Sequence, residues 1–347
     1  MASRTVATLF AVLLATLPAV AALAQGPTMW QIESSKTASH VLYSRPGHRF
    51  STKMGPDGAF QANADWEAGK RPTWYIEYQQ YGYMMILGGL LHHEPQTVDD
   101  GWKVFDWGFQ HMDREGNFEG SCAGSVAGEF HSASFFIEAV AHTILALQQS
   151  PYAAQFQSQI DRDVPLLHRA ALWMIKPSVW DKSIGPNGRF THRRYLEAAA
   201  LGETSLLTGD QSLLDKAHWL ISDAIPRQDP SGYNPEKGGA DSSYHAVGLC
   251  YAEYYMTFLP NDPLVPQMAA MADKGLKWEE RRMLPSGEIS AAGNTRTGGE
   301  EKKYTGQVKH IAYTMVFRAY YWRAMQTGSH RWMDDATKVA TFEHWLK

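Results

Sequence analysis

Cysteine is scarce in this chain: Cys122 and Cys250 are the only two in 347 residues. Two thiols do not make a metal framework. Cys122 stands in a Gly/Ser loop and Cys250 in an apolar helical pattern, so a disulfide and two free thiols both stay open. A strong charge of one sign is also missing. The net charge of −4 gives no basis for a nucleic-acid partner or an anionic membrane surface. Alternating apolar and polar runs, the mark of half-buried strands, are few. Beyond residue 24 no stretch reads as long and apolar enough to span a bilayer, so no stable membrane insertion is expected. The Gly-x-Ser-x-Gly elbow, the His-Glu-x-x-His zinc helix, the phosphate loop and the EF-hand loop are all absent. His92-His93-Glu94 offers metal-binding side chains, but neighbours on a helix point apart. No metal and no cofactor are expected.

What the chain does have is apolar mass and aromatics. Hydrophobic residues make up 44%, with 12 Trp and 16 Tyr, enough for a full core and consistent with sugar-stacking surfaces as well as a large helical interior. Residues 1–24 carry the pattern of a secretory signal: Arg4, an apolar run from Val6 to Ala22, Pro18 near its end, and Ala22-Leu23-Ala24 before Gln25. The expectation is cleavage near Ala24 and a periplasmic or secreted monomer, with residues 25–347 as one domain.

Helical spacing recurs along the whole mature chain. Residues 25–72 read as polar loop and short segments. Helices are expected over 73–93, 97–112, 132–149, 161–176, 192–208, 211–224, 242–258, 263–283, 306–326 and 330–346. Between them lies a repeated polar-Gly-x-apolar form: Asp57-Gly58-Ala59-Phe60, Glu115-Gly116-Asn117-Phe118, Asn187-Gly188-Arg189-Phe190, Ser286-Gly287-Glu288-Ile289 and, nearly as well, Ser231-Gly232-Tyr233. Repeats of this size imply helix pairs in a closed or stacked array. Their uneven spacing favours an all-α ring with varied loops over a superhelix of equal repeats.

The densest polar stretch runs from Ser231 to Tyr255. A Gly-rich loop bearing Asn234, Glu236, Lys237 and Asp241 leads into a helix that begins near Asp241 or Ser242, either of which suits an N-cap. Tyr244 and His245 fall in its first turn. Glycine lets backbone approach a ligand closely, although a capped helix after a polar loop explains the pattern as well. Three other segments compete. Glu129 and His131 sit near a helix start, where Glu129 reads more readily as a cap. His192, Arg193 and Arg194 place three cationic groups at a helix N-terminus, where positive charge is unfavourable; either an anionic ligand or neighbouring carboxylates would compensate. Glu300 to Tyr304, followed by Lys309 and His310, reads chiefly as a solvated charged loop, with Tyr304 and His310 as possible cleft residues.

The secretory start, the helix pairs, the Gly-x-aromatic loops and the segment from Glu236 to His245 together resemble the (α/α)-toroid carbohydrate-active enzymes, most of all the polysaccharide lyases of the alginate and glucuronan type. The resemblance is architectural over most of the mature chain and reaches motif level in 128–132, 187–195 and 231–245. It implies an all-α toroid of about six to seven helix hairpins, incomplete or closed. It also implies β-elimination on an acidic, uronate-containing polysaccharide. Such a lyase must neutralise the uronate carboxylate to stabilise charge developing at C5, remove the C5 proton and protonate the leaving C4 oxygen. On that basis Tyr244 is the acid and also a candidate base, and His192 is the alternative base. Lys237, Arg193 or Arg194, and Asn234 are candidates to hold the carboxylate. His131, Glu236, Asp241, His245 and Tyr304 are candidate substrate contacts. Cations beside a tyrosine favour its phenolate.

Two other readings stand beside it. A glycoside hydrolase on the same scaffold would need two carboxylates flanking the scissile bond; Glu236 and Asp241 are candidates, with Glu129 and Asp106 behind them. A non-catalytic glycan-binding protein would keep the aromatic and basic cleft without proton-transfer roles.

Overall fold

The computed structural model describes residues 26–44, 53–60, 76–118, 125–302 and 308–346. Residues 1–24, Cys122 and Tyr304 lie outside them. Two short helices open the described chain, α1 (Met29–Glu33) and α2 (Lys36–Tyr43). A 3-10 turn over Ile76–Tyr81 leads into α3 (Gly82–Leu91). Then follow α4 (Pro95–Gln110), α5 (Val126–Gln148), α6 (Gln157–Ile175), α7 (Pro177–Asn187) and α8 (Thr191–Thr208). The remaining helices are α9 (Gln211–Ala224), α10 (Ser242–Phe258), α11 (Val265–Glu280), α12 (Tyr313–Thr327) and α13 (His330–Phe342).

These form five antiparallel hairpins: α3 with α4, α5 with α6, α8 with α9, α10 with α11, and α12 with α13. The first member of each lies inside and packs on the inner member of the next hairpin. The ring closes through α1 and α2. Ser35, the N-cap of α2, bonds Tyr321 of α12 at 2.8 Å, and Arg318 of α12 donates to Tyr83 of α3. Inner helices are therefore buried on nearly every side, whereas outer ones bury a single stripe, as α9 does with Leu213, Ala217, Leu220, Ile221 and Ala224. Inner-to-outer links are tight. α8 and α12 stop at Gly209 and Gly328, whose φ of 70° and 68° suits glycine. Asp210 and Ser329 then cap the outer helices. By length and composition α5 could cross a membrane, contrary to the sequence reading, but 89% of its apolar window is buried inside the ring.

The glycine rhythm has a structural cause in four of its five places. At Gly58, Gly116, Gly232 and Gly287 φ lies between 90° and 118°. Each amide bonds the carbonyl three residues back: Gly55, Asp113, Asp229 and Leu284. That same earlier residue donates to the carbonyl just beyond the glycine. This is a type I turn closed by a left-handed glycine. Each turn precedes an inner helix and rests on the outer helix of the same hairpin, at Lys103, Arg169, Lys274 or Lys338. An aromatic residue follows four positions later: Trp107, Trp173, Trp278 or Phe342. Asn187-Gly188 breaks the series. Its φ is −64°, because α7, which sequence reading took for loop, runs to Asn187 and ends there. A Cβ on Gly116 would lie 2.3 Å from the Arg169 carbonyl oxygen, whereas one on Gly58 meets nothing nearer than 3.5 Å. Gly116→Ala should therefore cost at least about 2 kcal/mol and Gly58→Ala about 1 kcal/mol, measured as urea midpoints. Equal costs would show that strain at φ, and not the carbonyl contact, sets the penalty.

Candidate active-site cleft

The longer outer-to-inner connections gather at one end of the ring, where the N-termini of the inner helices converge. Their macrodipoles favour negative charge there. Two loops are stitched together first. Thr191 donates its amide and hydroxyl to the Pro235 carbonyl (3.3 and 2.7 Å), and the Lys237 amide donates to the Arg189 carbonyl (2.9 Å). This seats Glu236 beneath the start of α8. Its Oε1 accepts from the His192 amide at 3.0 Å and lies 2.8 Å from His192 Nδ1, while Oε2 accepts from Arg296 at 3.3 Å.

Asp241 fixes the other side. Its Oδ1 takes the Tyr244 amide at 3.0 Å as the N-cap of α10. Its Oδ2 takes the amides of Arg296 and Thr297 at 2.8 and 2.9 Å. One carboxylate thus ties the helix that carries Tyr244 to the loop that carries Arg296. The Arg296 guanidinium lies 3.5 Å from the Tyr244 ring centroid and 4.8 Å from that of Phe190. The His192 ring sits 4.9 Å from Tyr244 and 6.2 Å from His131. Arg193 stacks over Phe190 at 4.2 Å and donates to Asn187. Asp241→Ala should cost about 2–3 kcal/mol, since it leaves three buried amides unpaired. Urea denaturation checks this, and a loss below about 0.5 kcal/mol would mean that water replaces the carboxylate.

Charge is unevenly distributed. Burial, together with Arg296, Arg193 and Lys309, holds His192 well below the usual imidazole range, so the ring is neutral. Burial does the same to His131, and the nearby Arg193 and Arg296 add to it. With Nδ1 taken up by Glu236, Nε2 is the His192 nitrogen left to exchange a proton. Burial pushes Glu236 up to about 7, against the pull of the His192 amide and Arg296. Burial brings Arg193 down to about 10. Burial would raise Glu301 too, but hydrogen bonds from Lys237 and Lys309 outweigh it and hold that carboxyl at about 2.

Glu236, and Glu253 on α10, which burial pushes up to about 8, bind protons more readily folded than unfolded. Their stabilisation is complete below the unfolded carboxylate pKa and is lost as pH rises through about 7 to 8. The depressed histidines act oppositely, but their effect is complete above about pH 6.5. The melting temperature should accordingly fall between about pH 6.5 and pH 8.5; a flat profile would mean that both carboxyls are ionised in the fold.

Several sequence candidates are placed elsewhere by their contacts. Arg194 turns away from the cleft to Asp223, Glu197 and the Ile184 carbonyl. The excess positive charge at this helix start is thus met mainly by neighbouring carboxylates. Asn234 and His245 are buried together: the Asn234 amide donates to His245 Nδ1 at 3.0 Å, and His245 Nε2 is 3.1 Å from the Gly275 carbonyl. Neither can touch a ligand in the cleft. Glu236 and Asp241 are fully buried and support other residues, so they are not a solvent-facing carboxylate pair. Asp106 pairs with Arg162 between outer helices. Ser125, not Glu129, caps α5, and Glu129 accepts from Asn117. Lys237 is exposed and pairs with Glu301. Glu300 and Lys302 are exposed, as a solvated loop implies, whereas Glu301 is half-buried and also holds Arg296 and Lys309. Arg296 itself is not singled out in sequence; the glycines Gly293, Gly298 and Gly299 around it were the available signal. Among the described residues no group of three metal-ligating side chains falls in this cleft.

No protein-family model matches the sequence, and no curated protein matches it. Solved structures do match its shape. A chondroitin AC lyase from Streptomyces coelicolor A3, solved in complex with chondroitin sulphate, superposes with a TM-score of 0.57 at 11% identity, over 91% of this chain and 48% of its own. A GH76 α-mannanase from Bacteroides thetaiotaomicron gives 0.50 at 12% identity, over 90% and 89%. This chain therefore spans about half the length of that lyase. At these identities the likeness defines the fold alone, and that fold is an (α/α) toroid.

Proposed function

We propose that this protein is a glycan-active enzyme, and specifically a polysaccharide lyase that cleaves a uronate-containing polymer by β-elimination. The observation that carries this reading is the Arg296 guanidinium lying 3.5 Å from the Tyr244 ring centroid, beside a neutral His192. Arg296 and Arg193 would neutralise the uronate carboxylate. Tyr244 or His192 Nε2 then takes the C5 proton, the C5–H electron pair becomes the C4–C5 double bond, and the C4–O bond breaks as Tyr244 returns a proton to the leaving oxygen. His131 and Lys237 line the same mouth as substrate contacts. Fold likeness to a chondroitin AC lyase supports the class, and the convergent helix N-termini suit an anionic polymer. The hydrolase reading is weakened because Glu236 and Asp241 are buried and committed. The apolar segment at 1–24 supports export to the periplasm or beyond.

Incubation with a panel of uronate polymers and neutral glucans tests the reading through two signals, ultraviolet absorbance of an unsaturated uronate and new reducing ends. Both should rise together on one uronate polymer. Reducing ends without absorbance would make the enzyme a hydrolase, and silence with retained binding would make it a glycan-binding protein.

A further inference from the structure

A second polar cluster lies deeper on the ring axis. His142 stands three turns beyond His131 on α5, and Glu203 three turns beyond His192 on α8. At 1.5 Å per residue each is about 16 Å below the cleft. Glu138 is one turn before His142 on the same face of α5. The ligand-capable atoms of Glu138, His142 and Glu203 all lie within 4.8 Å of one another, and all three side chains are buried.

Their hydrogen bonding is incomplete in one direction only. Tyr43 donates to Glu33 Oε2 at 2.5 Å, and Glu33 Oε1 lies 3.3 Å from His142 Nε2. With its proton on Nε2 toward that carboxylate, His142 would turn an Nδ1 lone pair toward Glu138, whose Oε1 is 3.5 Å away. His142 Nδ1, Glu138 Oε1 and both Glu203 carboxylate oxygens are buried without a hydrogen-bond partner. Arg318 borders the same space: its terminal nitrogens donate to Tyr83, Tyr254 and Met84 and not to these carboxylates, and its Nε is a buried donor without a partner. Buried, unpartnered acceptors facing one another are costly. A cation between them removes that cost.

From this we infer a divalent transition-metal site formed by Glu138, His142 and Glu203, with Glu33 orienting the imidazole. One imidazole and two carboxylates suit zinc or manganese better than calcium, which takes more oxygens. Ligand atoms around one tetrahedral ion lie about 3.4 Å apart when each is about 2.1 Å from it, a spacing that modest side-chain rotation reaches from the observed one. A carboxylate–histidine–metal relay of this kind is what Glu33 and Tyr43 prepare. The ion would pin α5 to α8 on the axis, away from the proton-transfer residues. This inference does not rest on the proposed lyase activity.

The test uses the full chain, stripped with a chelator and then dialysed against Zn2+ or Mn2+, with Ca2+ and Mg2+ as comparators. Elemental analysis should find about one transition ion per chain, and its removal should lower the melting temperature by several degrees. Glu203→Gln, which keeps shape and volume, and His142→Gln should each cut metal content at least tenfold. Tyr244→Phe should leave metal content unchanged. Fewer than about 0.1 ion per chain after reloading, or full content in both cluster variants, would overturn the site. Should either variant misfold, Co2+ loaded into the unaltered chain decides. A visible spectrum of a four-coordinate N/O site is expected, and a six-coordinate aqua-like spectrum counts against it.

Discussion

Tyr244→Phe should lower kcat on the cognate polymer by about 10²–10⁴-fold while leaving KM within a few-fold. The ring remains, so Arg296 keeps the aromatic face on which it lies. The Asp241 cap is made to the Tyr244 amide and does not involve the hydroxyl. Melting temperature and circular dichroism should accordingly match the unaltered chain. What disappears is the phenolic proton carrier at the cleft. Activity within threefold of normal would remove Tyr244 from the chemistry and transfer both proton steps to His192. A loss confined to KM would make the phenol a binding group.

Arg296→Lys should cost about 10²–10³-fold in kcat/KM, equivalent to about 2.7–4 kcal/mol of transition-state stabilisation. Arg296 does three things at once: it donates to Glu236, it pairs with Glu301, and its plane lies on Tyr244 and Phe190. An ammonium keeps the charge but has neither the fork nor the flat face. The decisive readout is how substrates respond. A uronate polymer should suffer far more than its carboxyl-reduced counterpart, because the lost interaction is with the carboxylate. Equal losses on both would assign Arg296 to holding Tyr244 in place instead.

How much of this could be read from the chain alone varied with whether the signal was local. α8, α9 and α10 were expected within a residue or so of where they lie, and of the two N-caps that suited α10, Asp241 and Ser242, it is Asp241 that caps it. A short oxygen before an apolar helical run is a local signal, and so is a glycine after one. No helix was expected between 176 and 192, where Pro177, Gly185 and Pro186 interrupt helical spacing, and contacts with α5 supply the stability of α7: Asn187 donates to the Ala127 carbonyl at 3.1 Å. α1 and α2 were hidden in the same way inside a polar stretch. In the cleft, Tyr244, His192 and Arg193 were named and do come together, but Arg296 reaches them from 52 residues beyond Tyr244 through a backbone bond to Asp241. No spacing rule encodes such a meeting. Nor could sequence separate Arg193 from Arg194. On a helix, neighbours diverge by about 100°, and only the ring decides which of the two faces the mouth.

α5 carries one further consequence. On the proposed export route, a 23-residue apolar helix passing a translocation channel is at risk of partitioning sideways into lipid. Glu138 sits at its midpoint, where an ionisable side chain adds about 2.5–3.5 kcal/mol to the free energy of insertion. His142, one turn on, adds to that penalty. The residues that leave the axis of the finished ring polar therefore also bias this helix against becoming a membrane anchor before the ring exists, and a change to leucine at position 138 would weaken both safeguards at once.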